Sequence, residues 1–111
     1  MINNLEMIRG DTLSFAFEVE FDEAPQKLEK ADFTCKANFD DNDALFHKEL
    51  EKGINFSKQD GTKLYYIVRV APEDTKNIDA GLYYYDLSIE LNGDVFTILT
   101  GALKIGEDVT R

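Results

Sequence analysis

Between Thr12 and Phe21 every second residue is a large apolar one: Leu13, Phe15, Phe17, Val19 and Phe21 alternate with Ser14, Ala16, Glu18 and Glu20. Successive side chains of a strand point to opposite faces, so this spacing makes a strand with one dry and one wet side. The same period returns at Phe33, Cys35, Ala37 and Phe39. It returns again from Thr62 to Ala71, where Leu64, Tyr66, Val68 and Val70 oppose Tyr65, Ile67 and Arg69. A chain patterned this way buries itself by stacking or closing sheets, and helical architectures are excluded.

The interruptions divide the rest. Asn92-Gly93 lies between Leu82–Leu91 and Val95–Ile105, and its two residues accept the positive φ angles that a tight hairpin requires. Leu5–Ile8, Ala44–Leu50 and Ile54–Ser57 read as shorter strands. Asp22–Gln26, Asp40–Asp43 and Gln59–Gly61 read as turns, and Pro72–Ile78, with Pro leading and acids following, as one short helical turn. With no repeat or linker to divide it, the chain is expected to form a single domain over residues 1–111. Seven to eight strands predict an all-β, antiparallel, immunoglobulin-like β-sandwich, with an up-and-down barrel as the second architecture. The spacing Asp79-x-Gly81-x-Tyr83 favours the sandwich, because it matches a tyrosine corner whose phenol bonds back to the backbone. Phe15, Phe17, Phe33, Val68, Tyr83, Tyr85, Leu87 and Leu99 are the expected core.

Thirteen Phe and Tyr in 111 residues supply that core, and the 43% hydrophobic content argues against disorder. Twenty-two acids against twelve bases give a formal charge of −10, a field that repels phosphate backbones and anionic headgroups. No nucleic-acid or membrane partner is expected. The sequence Met1-Ile2-Asn3-Asn4-Leu5-Glu6 lacks the basic start and apolar run of a signal peptide, which predicts cytoplasmic synthesis. Cys35, the single cysteine, falls on an apolar face and reads as an inert core thiol.

Catalytic chemistry finds few candidates. His47 has no spacing that ties it to a nucleophile and reads as a surface residue beside Lys48. Asp40-Asp41-Asn42-Asp43 offers oxygen ligands but lacks the Gly and distal Glu of a calcium loop, so it reads as a solvated turn. Arg9-Gly10-Asp11 resembles an adhesion tripeptide, yet directly before a strand it reads as a turn. No phosphate-cradling glycine run is present. The expectation is no enzyme, no cofactor and no metal. Binding is favoured by Tyr65, Ile67, Tyr84, Phe96 and Ile98, which fall opposite the presumed core positions and either form an exposed apolar interaction surface or are covered by the short helix or a loop. Unpaired edge strands offer a second route, through backbone pairing with another chain.

Several segments carry a likeness in the same order. They are Arg9-Gly10-Asp11-Thr12, Val70-Ala71-Pro72-Glu73-Asp74-Thr75, Ala80 to Leu87, Thr97 to Ile105, and the ending Asp108-Val109-Thr110-Arg111. Together they resemble the immunoglobulin-like N-terminal module of phage baseplate upper proteins and short prophage proteins built from that module. The resemblance implies a phage or prophage structural module of tail, baseplate or neck, synthesised in a bacterial cytoplasm and associated with the virion. Its partners would be its own copies, in a homo-oligomer, or other virion proteins. The alternative is a stand-alone module that binds carbohydrate or a host-surface ligand through outward aromatics.

Overall fold

The computed structural model describes residues 4–109. Its strands are β1 (Leu5–Ile8), β2 (Leu13–Glu20), β3 (Lys30–Lys36), β4 (Phe46–Leu50), β5 (Gly53–Asp60), β6 (Lys63–Val70), β7 (Gly81–Leu91) and β8 (Asp94–Gly106), with one short helix, α1 (Pro72–Thr75). All eight strands belong to one sheet in the order β1-β8-β7-β3-β4-β5-β6-β2. The sheet curls into a barrel-like wall whose seam, between the β1/β8 edge and β2, is not sealed.

The core lies inside the wall. Phe33, Cys35, Ile54, Val68, Val70, Leu87 and Leu103 are fully buried, and Tyr66 and Tyr85 nearly so. Phe33 is the hub, with ring centroids 5.6 Å from Phe15, 6.2 Å from Phe46 and 5.2 Å from Tyr85. Of the expected core residues, Phe17, Phe33, Val68, Tyr85 and Leu87 are buried, whereas Phe15, Tyr83 and Leu99 are partly buried and pack against the core. Phe39, expected inward, is 63% exposed because β3 ends at Lys36 and the chain turns away before it.

Pairing is not wholly antiparallel, which corrects one expectation. β1 runs parallel to β8, with Leu5 opposite Leu103, and β4 meets β5 in parallel at Glu49–Gly53 and Leu50–Ile54. The second contact is a corner: Glu51 (φ 67°) and Gly53 (φ 107°) both adopt left-handed backbone, and Glu51 N–H donates to the Ile54 carbonyl at 2.7 Å. A Cβ on Gly53 would meet Lys48 Cδ at 2.5 Å, so the position also needs glycine for space. β7 and β8 form the longest hairpin, closed by Asn92 (φ 52°) and Gly93 (φ 84°). At about 3.4 Å per residue the thirteen residues of β8 span roughly 44 Å, close to the molecule's 47 Å length.

Two polar latches fix the loops. Gly10 N–H donates to Thr75 Oγ1 at 2.9 Å, and the Thr75 side chain is fully buried, so α1 is pinned to the Arg9-Gly10 turn. Leu28 N–H donates to the Tyr66 hydroxyl at 3.0 Å, holding the β2–β3 connection over one end of the core. The helix is shorter than the expected Pro72–Ile78. After Thr75, single turn bonds such as Ile78 N–H to the Thr75 carbonyl replace the helical ladder.

Candidate functional site

The five residues of the expected apolar surface fall in three places. Tyr65 and Ile67 stand on the outer face of β6, opposite Glu18 and Ala16 of β2. Tyr84 stands on the outer face of β7, and between β7 and β6 lie β3, β4 and β5. Phe96 and Ile98 belong to β8, where a bulge changes the alternation. Leu87 pairs with Leu99 but Ser88 pairs with Thr97, so Ile98 is an extra residue and every position before it changes face. Phe96 therefore lies opposite Ile89, on the inner face, yet remains 50% exposed. Ile98 packs against the core. One contiguous patch does not form.

Each outward aromatic has a local partner instead. Tyr84 packs on Phe39 with ring centroids 4.5 Å apart. The Tyr65 ring lies under Lys58 Nζ at 5.0 Å, and its phenol is pushed above the ordinary range by desolvation first and by its hydrogen bond to Glu18 second. The Tyr83 hydroxyl donates to the Asp79 carbonyl, the contact a tyrosine corner requires, and burial followed by the Asp79 charge raises its pKa. Gly81 lies beneath that ring, where an added Cβ would sit 3.8 Å away in ordinary contact.

The seam holds a cavity of about 500 Å³ lined by Leu5, Phe15, Phe17, Tyr85, Ile98 and Leu99, with Asn4, Ala16 and Glu18 at its margin. That volume is typical of ligand pockets, roughly 300–1,000 Å³, and the lining is largely apolar as such pockets are. Two strand edges border it. β2 pairs only with β6, and β8 is paired with β1 only from Leu103 to Gly106. Among the described residues the other edge of β2, and that of β8 from Asp94 to Gly101, pair with no strand. Among the described residues Glu18 is the one charged residue lining the cavity. Sequence reasoning anticipated open edges in general, but the wrapping that brings β2 towards β8 leaves no local signal.

Other groups have ordinary uses. A second hollow of about 440 Å³ lies among Arg9, Gly10, Pro72, Lys76, Asn77 and Asp108, where Arg9 Nε pairs with Asp108 Oδ1 at 2.9 Å. His47, exposed as expected, places Nε2 2.8 Å from Asp32 Oδ1, with Glu49 close enough for the three ligand atoms to lie within 4.8 Å of one another. All three are solvent-accessible, and a pair of this kind contributes little to stability. The side chain of Lys48 is instead spent on Asp74 at 2.6 Å. Asn38 N–H donates to Asp41 Oδ2 at 3.0 Å, closing the acidic loop as a local turn. Cys35 is fully buried, and desolvation pushes its thiol up to about 12. Among the described residues no helix is long and apolar enough to cross a membrane.

No family model matches the chain, and comparison with curated proteins found no match.

Proposed function

We propose that this chain is a protein-docking module with no catalytic role of its own, an immunoglobulin-like domain of a phage or prophage tail, baseplate or neck. The observation that carries docking is the open seam, where two strand edges that are unpaired among the described residues flank an apolar cavity. Exposed edges and exposed apolar surface are the features by which β domains recruit other chains. The immunoglobulin-like reading is supported by the parallel β1–β8 pairing, by the β4–β5 corner, and by the Tyr83–Asp79 bond. The phage assignment is supported by the segments from Arg9 to Thr12, Val70 to Thr75, Ala80 to Leu87 and Thr97 to Ile105 that resemble baseplate modules. A charge of −10 is compatible with docking through a desolvated apolar contact and opposes nucleic acid as the partner.

The test is the gene's setting together with the particle. Genes for tail or baseplate proteins on either side, and the chain found by mass spectrometry in particles purified after induced lysis, are the expected results. Its absence from such particles, with metabolic genes as neighbours, would overturn the phage assignment. A carbohydrate-binding reading is favoured by one feature, the Phe39–Tyr84 pair, whose 63%-exposed Phe39 ring offers a stacking platform. Oligosaccharides that quench tyrosine fluorescence in the native chain but not in Tyr84→Ser would support it.

A further inference from the structure

We infer that the seam between β2 and β8 is a strand-acceptor groove, completed by an extended segment of a partner protein that alternates apolar residues facing inward with basic residues facing out. The inference rests on the docking reading above and names its site and the chemistry of its occupant. The missing piece is a strand in both shape and bonding. Among the described residues the order β1-β8-β7-β3-β4-β5-β6-β2 leaves two edges facing one gap, and β1 covers Leu103–Gly106 of β8. The uncovered stretch, Asp94 to Gly101, is eight residues and so roughly 26 Å long. Following the pairings around the wall, β2 runs opposite to β8. An inserted strand is therefore parallel to one edge and antiparallel to the other, and both edges can donate and accept backbone bonds whichever way it enters.

The lining sets the side chains of that strand. Phe15, Phe17, Ile98 and Leu99 are partly or wholly buried around about 500 Å³ of space, which takes apolar groups at alternate positions. The outer margin is acidic. Glu18 lines the groove with Lys63 Nζ 3.9 Å from it on the β6 side, Glu20 continues along β2 and Asp94 begins the free stretch of β8, while among the described residues no Lys or Arg lines the cavity. On a body of charge −10 this margin selects lysine or arginine on the wet side of the incoming strand. A second copy of this chain is the poorer occupant, because its own candidate edges, β2 and β8, would bring Glu18, Glu20 and Asp94 against the same acidic margin.

The experiment uses the intact chain and a pooled library of nine-residue peptides alternating Val, Ile, Leu or Phe with Lys, Arg or Thr. Fluorescence anisotropy finds binders, and hydrogen exchange maps them. The expected result is a bound peptide that slows amide exchange along β2 and along Asp94–Gly101 of β8. N-methylation of alternate peptide amides should weaken binding roughly tenfold for each pair of backbone bonds removed. Replacing the basic positions by Glu should weaken it at least as much at low salt, with the gap narrowing as salt rises. Ile98→Asp, with its thermal transition retained, should abolish binding. The inference is overturned if no library member binds, if protection maps to Phe39 and Tyr84 instead, or if the chain dimerises with its own β2 and β8 amides protected. Finding the chain in particles while the peptides fail would sink the groove and leave the docking reading standing.

Discussion

Phe33 and Phe15 are the same residue type, were expected to share one core, and touch each other with ring centroids 5.6 Å apart, yet they sit differently. Phe33 on β3 has β7 on one side and β4 on the other and is fully buried. Phe15 on β2 has β6 on one side and the seam on the other, and it stays partly exposed to the cavity. Burial on an edge strand thus varies from one inward position to the next, since Phe17, two residues further along the same β2, is buried. The continuous part of the wall holds the fully buried residues, and the seam leaves apolar surface accessible.

The sharpest test is to truncate both. Phe33→Ala leaves a hole amid Phe15, Phe46 and Tyr85 and should cost about 3–5 kcal/mol, enough to leave a domain of this size marginal or unfolded. Phe15→Ala opens onto space that is already accessible and should cost no more than about half as much, measured by urea unfolding. Equal losses would break the comparison.

Alkaline titration reaches the same wall through Cys35. Its folded thiol is pushed up to about 12 from the usual 9, so the unfolded chain loses this proton first. The stability due to the neutral thiol is complete below about pH 9 and is lost as pH rises towards 12. The urea midpoint should fall over that window, and fall less in Cys35→Ala. Some decline should persist in the variant, since Tyr65, Tyr83 and Tyr85 are also raised, chiefly by desolvation. An unchanged slope would mean that the thiol is not sheltered.

Gly53 tests the corner that makes the wall continuous. With φ at 107° and Lys48 Cδ 2.5 Å from the place of a new Cβ, Gly53→Ala should cost about 1–3 kcal/mol. The strain should fall locally, so faster amide exchange is expected at Glu51 and Ile54 before any change at Leu87. A neutral outcome would show that the corner yields easily and that the wall is less rigid there than the seam contrast implies.

Much of the wall was legible in the sequence. The alternation at Leu13–Phe21 and Leu64–Val70, and Asn92-Gly93 between two apolar runs, mark β2, β6 and the β7–β8 hairpin directly, because period and turn chemistry are local properties. The seam is not local. Nothing within Leu13–Glu20 indicates that its second edge pairs with no strand among the described residues, and nothing within Asp94–Gly101 indicates that β1, as described, begins at Leu5 opposite Leu103. Ile98 shows the second kind of loss. A single extra residue shifts the register, so counting by twos from Leu99 assigns Phe96 to the wrong face. Parallel pairing at Glu49–Gly53 was hidden for a related reason, since it depends on Glu51 entering left-handed backbone, where nonglycine residues are rarely expected.

The smallest expected effect separates a motif's spelling from its physics. Asp79-x-Gly81-x-Tyr83 opens β7, and the bond from the Tyr83 hydroxyl to the Asp79 carbonyl is the part with an energetic role. Tyr83→Phe removes that bond at a solvent-accessible carbonyl and should cost about 1 kcal/mol. Gly81 is different from Gly53. It is not in left-handed backbone, and a methyl group there would rest 3.8 Å from the Tyr83 ring, an ordinary contact. Gly81→Ala should therefore change stability by no more than about 0.5 kcal/mol in either direction, since it also restricts the unfolded chain. Paired thermal melts of the two variants decide the matter. A large loss in Gly81→Ala would mean that the backbone entering β7 requires glycine, and the start of this strand would then rank with the β4–β5 corner as a strained point of the continuous wall.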